Sequence, residues 1–119
     1  MATREEDMIR RYFDAFNSHD LEAVMACFHP DPVVVDSEGR RHEGVDAVRR
    51  LYRFQFSVAD DGRCDLRSLV GHDGRGMAES LFHGTLNRGG TVIKALGAEV
   101  FEFSAERIKE IHDHHRMLD

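Results

Sequence analysis

The sequence has few of the residues that build disulfide, metal or membrane frameworks. It contains only two cysteines, Cys27 and Cys64, and their spacing fits no metal-binding motif. Cys27 lies in an apolar helical pattern, where a reduced thiol behaves as a small hydrophobic side chain. No run of about 18 apolar residues occurs, and the charged first residues lack the apolar segment of a secretory signal. We therefore expect a soluble cytoplasmic protein without disulfides and without a membrane partner.

Basic residues are outnumbered and do not cluster. The chain has 16 Lys and Arg against 22 Asp and Glu, which gives a formal net charge of -6. A nucleic-acid-binding surface needs a basic stripe or patch, so we expect no nucleic-acid partner. The 119 residues are 41% hydrophobic, and neither a repeat nor a linker nor a low-complexity segment divides them. They predict a single domain over residues 1–119 with one core.

The first half of the chain predicts three helices. Apolar residues recur at helical spacing from Thr3 to Phe16, and Thr3 with Glu6 matches a capping box. Asp20 is placed to cap a short second helix. A third amphipathic pattern runs from Val45 to about Phe56.

Strands are predicted after the second helix, from the positions of two prolines and from the alternating polarity of the second half of the chain. Pro30 and Pro32 end the second helix, and the β-branched run Val33 to Val35 begins a strand. Gly39 and Gly44 bracket a predicted turn that contains a short basic stretch. Alternating polarity and glycine-containing turns then predict an antiparallel sheet with strands at Cys64 to Val70, Met77 to Asn87, Thr91 to Phe103 and Ile108 to Met117.

The segment from Tyr12 to Asp36 resembles the opening of SnoaL-like polyketide cyclases and ketosteroid isomerases. In those proteins an aromatic helix, a polar turn with aspartate, a second helix and a strand precede a glycine-led third helix, here Gly44 to Val48. The order of helices and strands is similar to that of the nuclear transport factor 2-like superfamily. This resemblance implies an α+β fold: a cone-shaped barrel of a strongly bent, mainly antiparallel sheet, with three helices in the N-terminal half. The resemblance is better evidence of the fold than of the reaction, because the superfamily contains isomerases, cyclases, dehydratases, epoxide hydrolases and non-catalytic binding proteins.

The resemblance also implies a catalytic pair. In ketosteroid isomerases a helix tyrosine donates to the substrate oxyanion and a strand-end aspartate shuttles the proton, at the same separation of 24 positions as Tyr12 and Asp36. Tyr12 would be the oxyanion donor and Asp36 the base. The second oxyanion donor of that family aligns with Leu96, which cannot donate a hydrogen bond. Full steroid isomerase efficiency is therefore not expected.

The position of Asp36 in the sequence allows two interpretations, one catalytic and one structural. It follows the apolar run Val33 to Val35, where burial of its carboxyl group would raise the pKa and make it a proton acceptor near neutral pH. The residues Ser37 to Gly39 are typical of a turn, which an aspartate often begins. Tyr12 likewise fits simple core packing on the apolar face of its helix.

The last predicted strand, Ile108 to Met117, is too polar to be buried on both faces. If Ile111 points inward, Asp113 and His115 share its face. SnoaL-like cyclases use an acidic residue near the end of the final strand and often a nearby histidine, so the resemblance implies Asp113 and His115 as a second candidate dyad. A bulge would exchange the faces, and a solvated surface or a subunit contact is the alternative. The opposite face would carry His112, His114 and Arg116.

These observations predict a small cofactor-independent isomerase or cyclase-type enzyme that moves a proton on an apolar, carbonyl-bearing molecule. A non-catalytic module that binds a ligand or a protein is the alternative. His112 and His114, with His83 or His72, leave a metal-dependent activity open, but no metal-ligand motif occurs and we expect no metal. The resemblance further implies a homodimer that packs sheet to sheet. The residues expected to bind the small hydrophobic substrate are Phe13, Phe16, Phe54, Phe82, His83 and Phe101.

Overall fold

A computed structural model of the chain describes residues 1–118. The helices are α1 (Arg4–Asn17), α2 (Leu21–Ala26) and α3 (Val45–Val58). The strands are β1 (Phe28–Val35), β2 (Arg41–Glu43), β3 (Arg63–His72), β4 (Arg75–Thr85), β5 (Val92–Ser104) and β6 (Arg107–Met117). They form one sheet in the order β2-β1-β6-β5-β4-β3. Among the strand pairs of residues 1–118, only β1 and β6 are parallel, so the predicted α+β class and mainly antiparallel sheet are confirmed.

The predicted helix starts are confirmed by their caps. Thr3 Oγ1 accepts a hydrogen bond from the Glu6 backbone N–H at 3.1 Å, and Glu6 Oε1 accepts one from the Thr3 N–H at 3.0 Å. This reciprocal pair satisfies two N–H groups that a helix start leaves free. Asp20 Oδ1 accepts from the Ala23 N–H at 3.1 Å and caps α2 in the same way. None of the helices in residues 1–118 is long and apolar enough to cross a membrane.

Two strand predictions needed correction. Strand β1 begins at Phe28, ahead of both prolines, and its pairing with β6 shifts register between Phe28 and Val33. This irregularity accommodates Pro30 and Pro32, which have no N–H to donate to a neighbouring strand. The basic stretch Arg41–Glu43 is the short strand β2, paired with Val33 to Val35, where the sequence predicted a turn. Its polar composition gave no strand signal because β2 is an edge strand, most of whose side chains reach solvent.

Tight hairpins connect β3 to β4 and β5 to β6. Asp73 and Gly74 both have positive φ, 56° and 81°, between the paired residues His72 and Arg75. This is the two-residue turn that an Asp-Gly sequence favours. Such turns keep the strands long and in register, so alternate side chains along β4, β5 and β6 face the same side of the sheet.

The sheet curls as a cone around α1 and α3, and its edge strands β2 and β3 do not pair with each other. Helix α1 packs against β3 and β4, while α3 packs against β1 and β2. The fully buried centre contains residues from both helices and from β5 and β6, among them Ile9, Val48, Phe101, Ile108 and Ile111. Beyond this core, the inner face of the sheet becomes polar.

Candidate functional site

A cavity of about 240 Å³ lies between the inner face of the sheet and helices α1 and α3. Most of its wall is apolar or aromatic, and its polar groups come from four strands, two helices and the turn after β1. None of the described residues that line it is lysine or arginine. An apolar cleft with a few converging polar groups is the usual form of a small-molecule site. The polar lining residues are Tyr12, Asp36, Tyr52, Gln55, Cys64, Ser80, Glu99, Asp113 and His115.

Strands β5 and β6 supply the acidic floor of this cavity. Glu99 and Asp113 are register partners in the β5–β6 pairing, and Gly97 is the partner of His115. Residues directly opposite each other on one sheet face have Cβ atoms about 5 Å apart. The pairing therefore sets two carboxyl groups side by side in a largely apolar space.

Glu99 is the most perturbed acid of the cavity. The residue is 9% exposed, and its Oε2 accepts a hydrogen bond from Ser80 Oγ at 2.8 Å. Its Oε1 has no hydrogen-bond partner in the part of the chain that the structure describes. Burial raises the pKa of Glu99 to about 7, and the negative charge of Asp113 adds to the effect. Near neutral pH this carboxyl group is therefore divided between its protonated and ionised forms.

Gly97 makes room for the Glu99 side chain. A Cβ atom at this position would lie 2.8 Å from Ser80 Oγ and 3.1 Å from Glu99 Oε2. Any other residue would press on the hydrogen bond between Ser80 and Glu99. The absence of a side chain at Gly97 thus lets the carboxyl group lie back along the strand toward Ser80.

Asp113 and His115 form the pair that the sequence predicted, two residues apart on one face of β6. His115 Nδ1 and Asp113 Oδ2 are 3.1 Å apart, and the other ring nitrogen, Nε2, is 3.1 Å from Ser37 Oγ. The hydrogen bond to Asp113 raises the pKa of His115, although partial burial opposes the shift. Both side chains line the cavity, together with Ile111 of the same strand.

Tyr12 reaches the cavity from α1 and meets Tyr52 of α3. The two hydroxyl oxygens are 2.5 Å apart, and both side chains are buried. Burial raises the pKa of both phenols far above the usual value, so each keeps its proton at any physiological pH. One proton joins the two oxygens, which leaves one hydroxyl proton free to be donated to a ligand.

Asp36 differs from the sequence expectation in its environment. It lines the cavity, but its Oδ2 is 2.9 Å from His42 Nε2 and its Oδ1 accepts from the backbone N–H groups of Glu38 and Arg40. The expected raised pKa is wrong: the hydrogen bond to His42 lowers the pKa of Asp36, and the two backbone donors add to this. Through these hydrogen bonds the carboxyl group stabilises the turn after β1. Its role as the catalytic base stays a prediction.

The predicted aromatic residues divide into two groups. Phe13, Phe16, Phe54 and Phe82 line the cavity. Phe101 does not, because it is fully buried in the core beneath the acidic floor. His83 lies outside the cavity on the opposite face of β4, where its Nε2 is 3.0 Å from Asp65 Oδ2. No bound substrate tests any of these residues, and substrate binding stays a prediction for all of them.

Sequence reasoning missed Glu99, Ser80 and Tyr52. The signal for Glu99 was present, because it precedes Phe101 by two positions in a strand and so shares the inward face assigned to that residue. The alignment instead selected Leu96, whose side chain is 38% exposed on the outer face. The alignment therefore overlooked Glu99, an acidic group that β5 supplies to the cavity.

The histidines that left a metal site open do not converge. Within residues 1–118, no group of three or more His, Cys, Asp and Glu residues is arranged to hold a metal ion. His112 Nε2 is instead 2.8 Å from Glu110 Oε2 on its own strand.

Comparisons with known proteins agree with this fold. The chain is similar to a SnoaL-like polyketide cyclase from Jannaschia species CCS1, with 10% identity, 96% of this chain and 86% of that chain covered, and a TM-score of 0.87. A polyketide cyclase from Xanthomonas campestris is 22% identical, with 95% and 90% covered and a TM-score of 0.82. A protein from Catenulispora acidiphila with a ketosteroid isomerase-like fold, solved in complex with trimethylamine, is 14% identical, with 91% and 84% covered and a TM-score of 0.82.

At these identities the solved structures establish the fold alone. A search of curated protein sequences finds no match. The SnoaL-like domain model, by contrast, matches residues 9–111, which is most of the chain and includes most of α1, all of α2 and α3, strands β1 to β5 and the first part of β6. The chain therefore belongs to the SnoaL-like domain family.

Proposed function

We propose that the protein is a cofactor-independent acid-base enzyme that moves a proton next to the carbonyl group of a small apolar molecule. The observation that carries this proposal is the Glu99 carboxyl group, which is buried in an apolar cavity, has one unpartnered oxygen and has a pKa of about 7. A proton shuttle works best when its pKa lies near the working pH, since it must both take and return the proton. Isomerisation and aldol-type cyclisation both need this step.

In the proposed mechanism, ionised Glu99 removes a proton from the carbon next to the substrate carbonyl. Negative charge then develops on the carbonyl oxygen, and the free hydroxyl proton of the Tyr12 and Tyr52 pair is donated to it. One such donor is worth about 3 kcal/mol in the transition state. In an isomerisation, protonated Glu99 returns the proton at another carbon. In a cyclisation, the enolate carbon attacks a second carbonyl of the same molecule, and protonated Glu99 gives its proton to the alkoxide that forms.

Asp113 and His115 support this chemistry through charge. The charge of Asp113 raises the pKa of Glu99, and the charge of His115 lowers it. Because these two effects oppose each other, the pKa stays near neutral pH and Glu99 is not fully protonated there. Asp36, the base implied by the resemblance, remains a second candidate. Its lower pKa makes it the weaker proton acceptor of the two.

The substrate that fits this proposal is neutral, compact and apolar. The cavity holds about 240 Å³, and the carboxyl groups of Asp36, Glu99 and Asp113 would repel an anion. The absence of lysine and arginine from the described lining supports the same conclusion. A cyclic ketone, with a flat ring against the aromatic wall, meets these requirements.

Deuterium exchange tests the proposal. A panel of small cyclic ketones is incubated with the protein in D2O, and NMR follows replacement of the hydrogens next to the carbonyl. We expect catalysed exchange by the wild type and a loss of about 100-fold or more in Glu99→Gln, because a general base contributes roughly that factor. Glu102→Gln is the matched control, since Glu102 lies on the same strand and is exposed on the other face.

The comparison with Asp36→Asn assigns the base. Exchange that survives in Glu99→Gln but disappears in Asp36→Asn would move the role to Asp36. Ketones that stabilise the wild-type protein against heat without any exchange would contradict catalysis and support the non-catalytic ligand-binding module.

A further inference from the structure

Ser37, His115 and Asp113 form a continuous hydrogen-bonded chain at the end of the cavity wall. Ser37 Oγ is 3.1 Å from His115 Nε2, and His115 Nδ1 is 3.1 Å from Asp113 Oδ2. Ser37 lies in the turn after β1, and His115 and Asp113 lie on β6. Strands β1 and β6 are parallel neighbours in the sheet. The order hydroxyl, imidazole, carboxylate is the order of a nucleophile, its general base and the group that orients the base.

The hydrogen bonds determine which ring nitrogen can act as the base. The Asp113 oxygen accepts this hydrogen bond, so Nδ1 of His115 carries the proton that joins the two side chains. Nε2 of the neutral ring is then an acceptor directed at the Ser37 hydroxyl group. This is the tautomer that removes a proton from serine.

Ser37 is accessible to solvent, whereas the side chains of His115 and Asp113 are partly buried. Ser37 lies in an exposed turn, Asp113 is 23% exposed and His115 is 42% exposed. Because Asp113 and His115 line the cavity, a molecule seated at its end would bring a reacting group next to the Ser37 hydroxyl. Solvent can also reach that hydroxyl, which a hydrolytic step requires.

We propose that Ser37 is the nucleophile of a second, acyl-transfer activity, with His115 as general base and Asp113 as its orienting partner, acting on small neutral esters. The acidic lining of the cavity disfavours anionic esters for the reason given above. The proton-shuttle role of Glu99 is not needed for this activity, so it is independent of the proposed function.

The reaction balances with water as the only co-reactant. Ser37 Oγ forms a bond to the ester carbonyl carbon while its proton passes to His115 Nε2. The bond from that carbon to the ester oxygen breaks, and the leaving alkoxide takes the proton from Nε2 to become a neutral alcohol. Water then attacks the acyl group in the same way, its proton returns through Nε2 to Ser37 Oγ, and a carboxylic acid is released.

Labelling by an alkyl fluorophosphonate tests the proposal. Serine displaces fluoride from this reagent, so a P–O bond forms, the P–F bond breaks and hydrogen fluoride leaves, provided that a base activates the hydroxyl group. We expect one adduct on the wild-type protein by intact mass, located at Ser37 by peptide mapping. We expect none on Ser37→Ala, and labelling about 100-fold slower in His115→Gln.

Matched controls separate this activity from nonspecific reaction and from the ketone chemistry. Ser57 is also exposed, but its Oγ donates its proton to the Phe54 carbonyl oxygen, so Ser57→Ala should be labelled like the wild type. Glu99→Gln should keep its labelling at alkaline pH, where His115 is neutral with or without the Glu99 charge, and Ser37→Ala should keep ketone exchange. Far-ultraviolet circular dichroism confirms that each variant is folded, and Asp113→Asn replaces His115→Gln if the latter does not fold.

The labelling rate should depend on pH through His115. Asp113 on β6, Glu99 on β5 and Asp36 after β1 all face this ring and raise its pKa above the usual 6.5, against the effect of burial. The rate should therefore rise with pH to a plateau, with its midpoint above 6.5. An unlabelled wild type, labelling that persists in Ser37→Ala, or equal rates in the wild type and His115→Gln would each overturn the proposal.

Discussion

Glu99→Gln should stabilise the protein above neutral pH. Glu99 is 9% exposed in the wild type, and one of its carboxyl oxygens finds no hydrogen-bond partner among residues 1–118. Ionisation places a charge in this apolar space beside Asp113, which the folded protein tolerates poorly. Glutamine has nearly the same shape, accepts the hydrogen bond from Ser80 through its carbonyl oxygen and never ionises.

The sign and size of the effect follow from the pKa. The usual value of 4.5 for Glu applies to the unfolded chain, and the folded value is about 7. Between these two values the folded protein holds a proton that the unfolded chain has released, so wild-type stability falls as the pH rises through this window. The difference between 4.5 and about 7 amounts to about 3 kcal/mol of unfolding free energy once the pH exceeds the folded value.

Urea unfolding at one protein concentration measures this effect. We expect Glu99→Gln and the wild type to have similar free energies of unfolding at about pH 5, and the variant to be more stable by about 3 kcal/mol at about pH 8. Glu102→Gln, on the exposed face of the same strand, should follow the wild-type pH dependence. A difference between Glu99→Gln and the wild type that does not grow with pH would refute the reasoning that Glu99 is a destabilised, buried acid.

Three further predictions test other parts of the molecule. Tyr52→Phe leaves the buried Tyr12 hydroxyl without its partner at 2.5 Å and should cost about 1 to 3 kcal/mol in urea unfolding. The hydrogen bond from His42 lowers the pKa of Asp36, so its stabilising effect is lost as the pH falls. Asp36→Asn should therefore destabilise the protein at neutral pH, and calorimetry should show that difference shrinking in acid. Met77 is 49% exposed on the outer sheet face, and if the sheet-to-sheet dimer forms, light scattering should detect a shift toward monomer in Met77→Lys.

The helices could be predicted from the sequence because their signals are local. The reciprocal contact between Thr3 and Glu6 involves residues three apart, and the Asp20 cap acts within one turn. The Asp-Gly sequence at the turn between β3 and β4 is a local signal of the same kind. Strand β2 could not be predicted in this way, because nothing local in Arg41–Glu43 favours a strand, and only pairing with Val33 to Val35 makes it one.

The candidate site shows the same division. Period-two alternation along β6 correctly put Asp113 and His115 on the face of Ile111. The environment of Asp36 could not be read in this way, since His42 reaches it only after the chain turns back at Gly39. Ser37, at the same turn, meets His115 across 78 positions of sequence.

The sequence by itself determined the three helices, the long antiparallel strands of the second half, the inward face of β6 and the family, because these depend on periodicity, caps and turn residues within a few positions. The tertiary structure alone decided the protonation states. It set Glu99 beside Asp113 in the cavity and Asp36 against the donors of a turn, so the two acids acquired opposite pKa shifts. Desolvation and the distance between charges cause such shifts, and both are properties of folded space rather than of chain position.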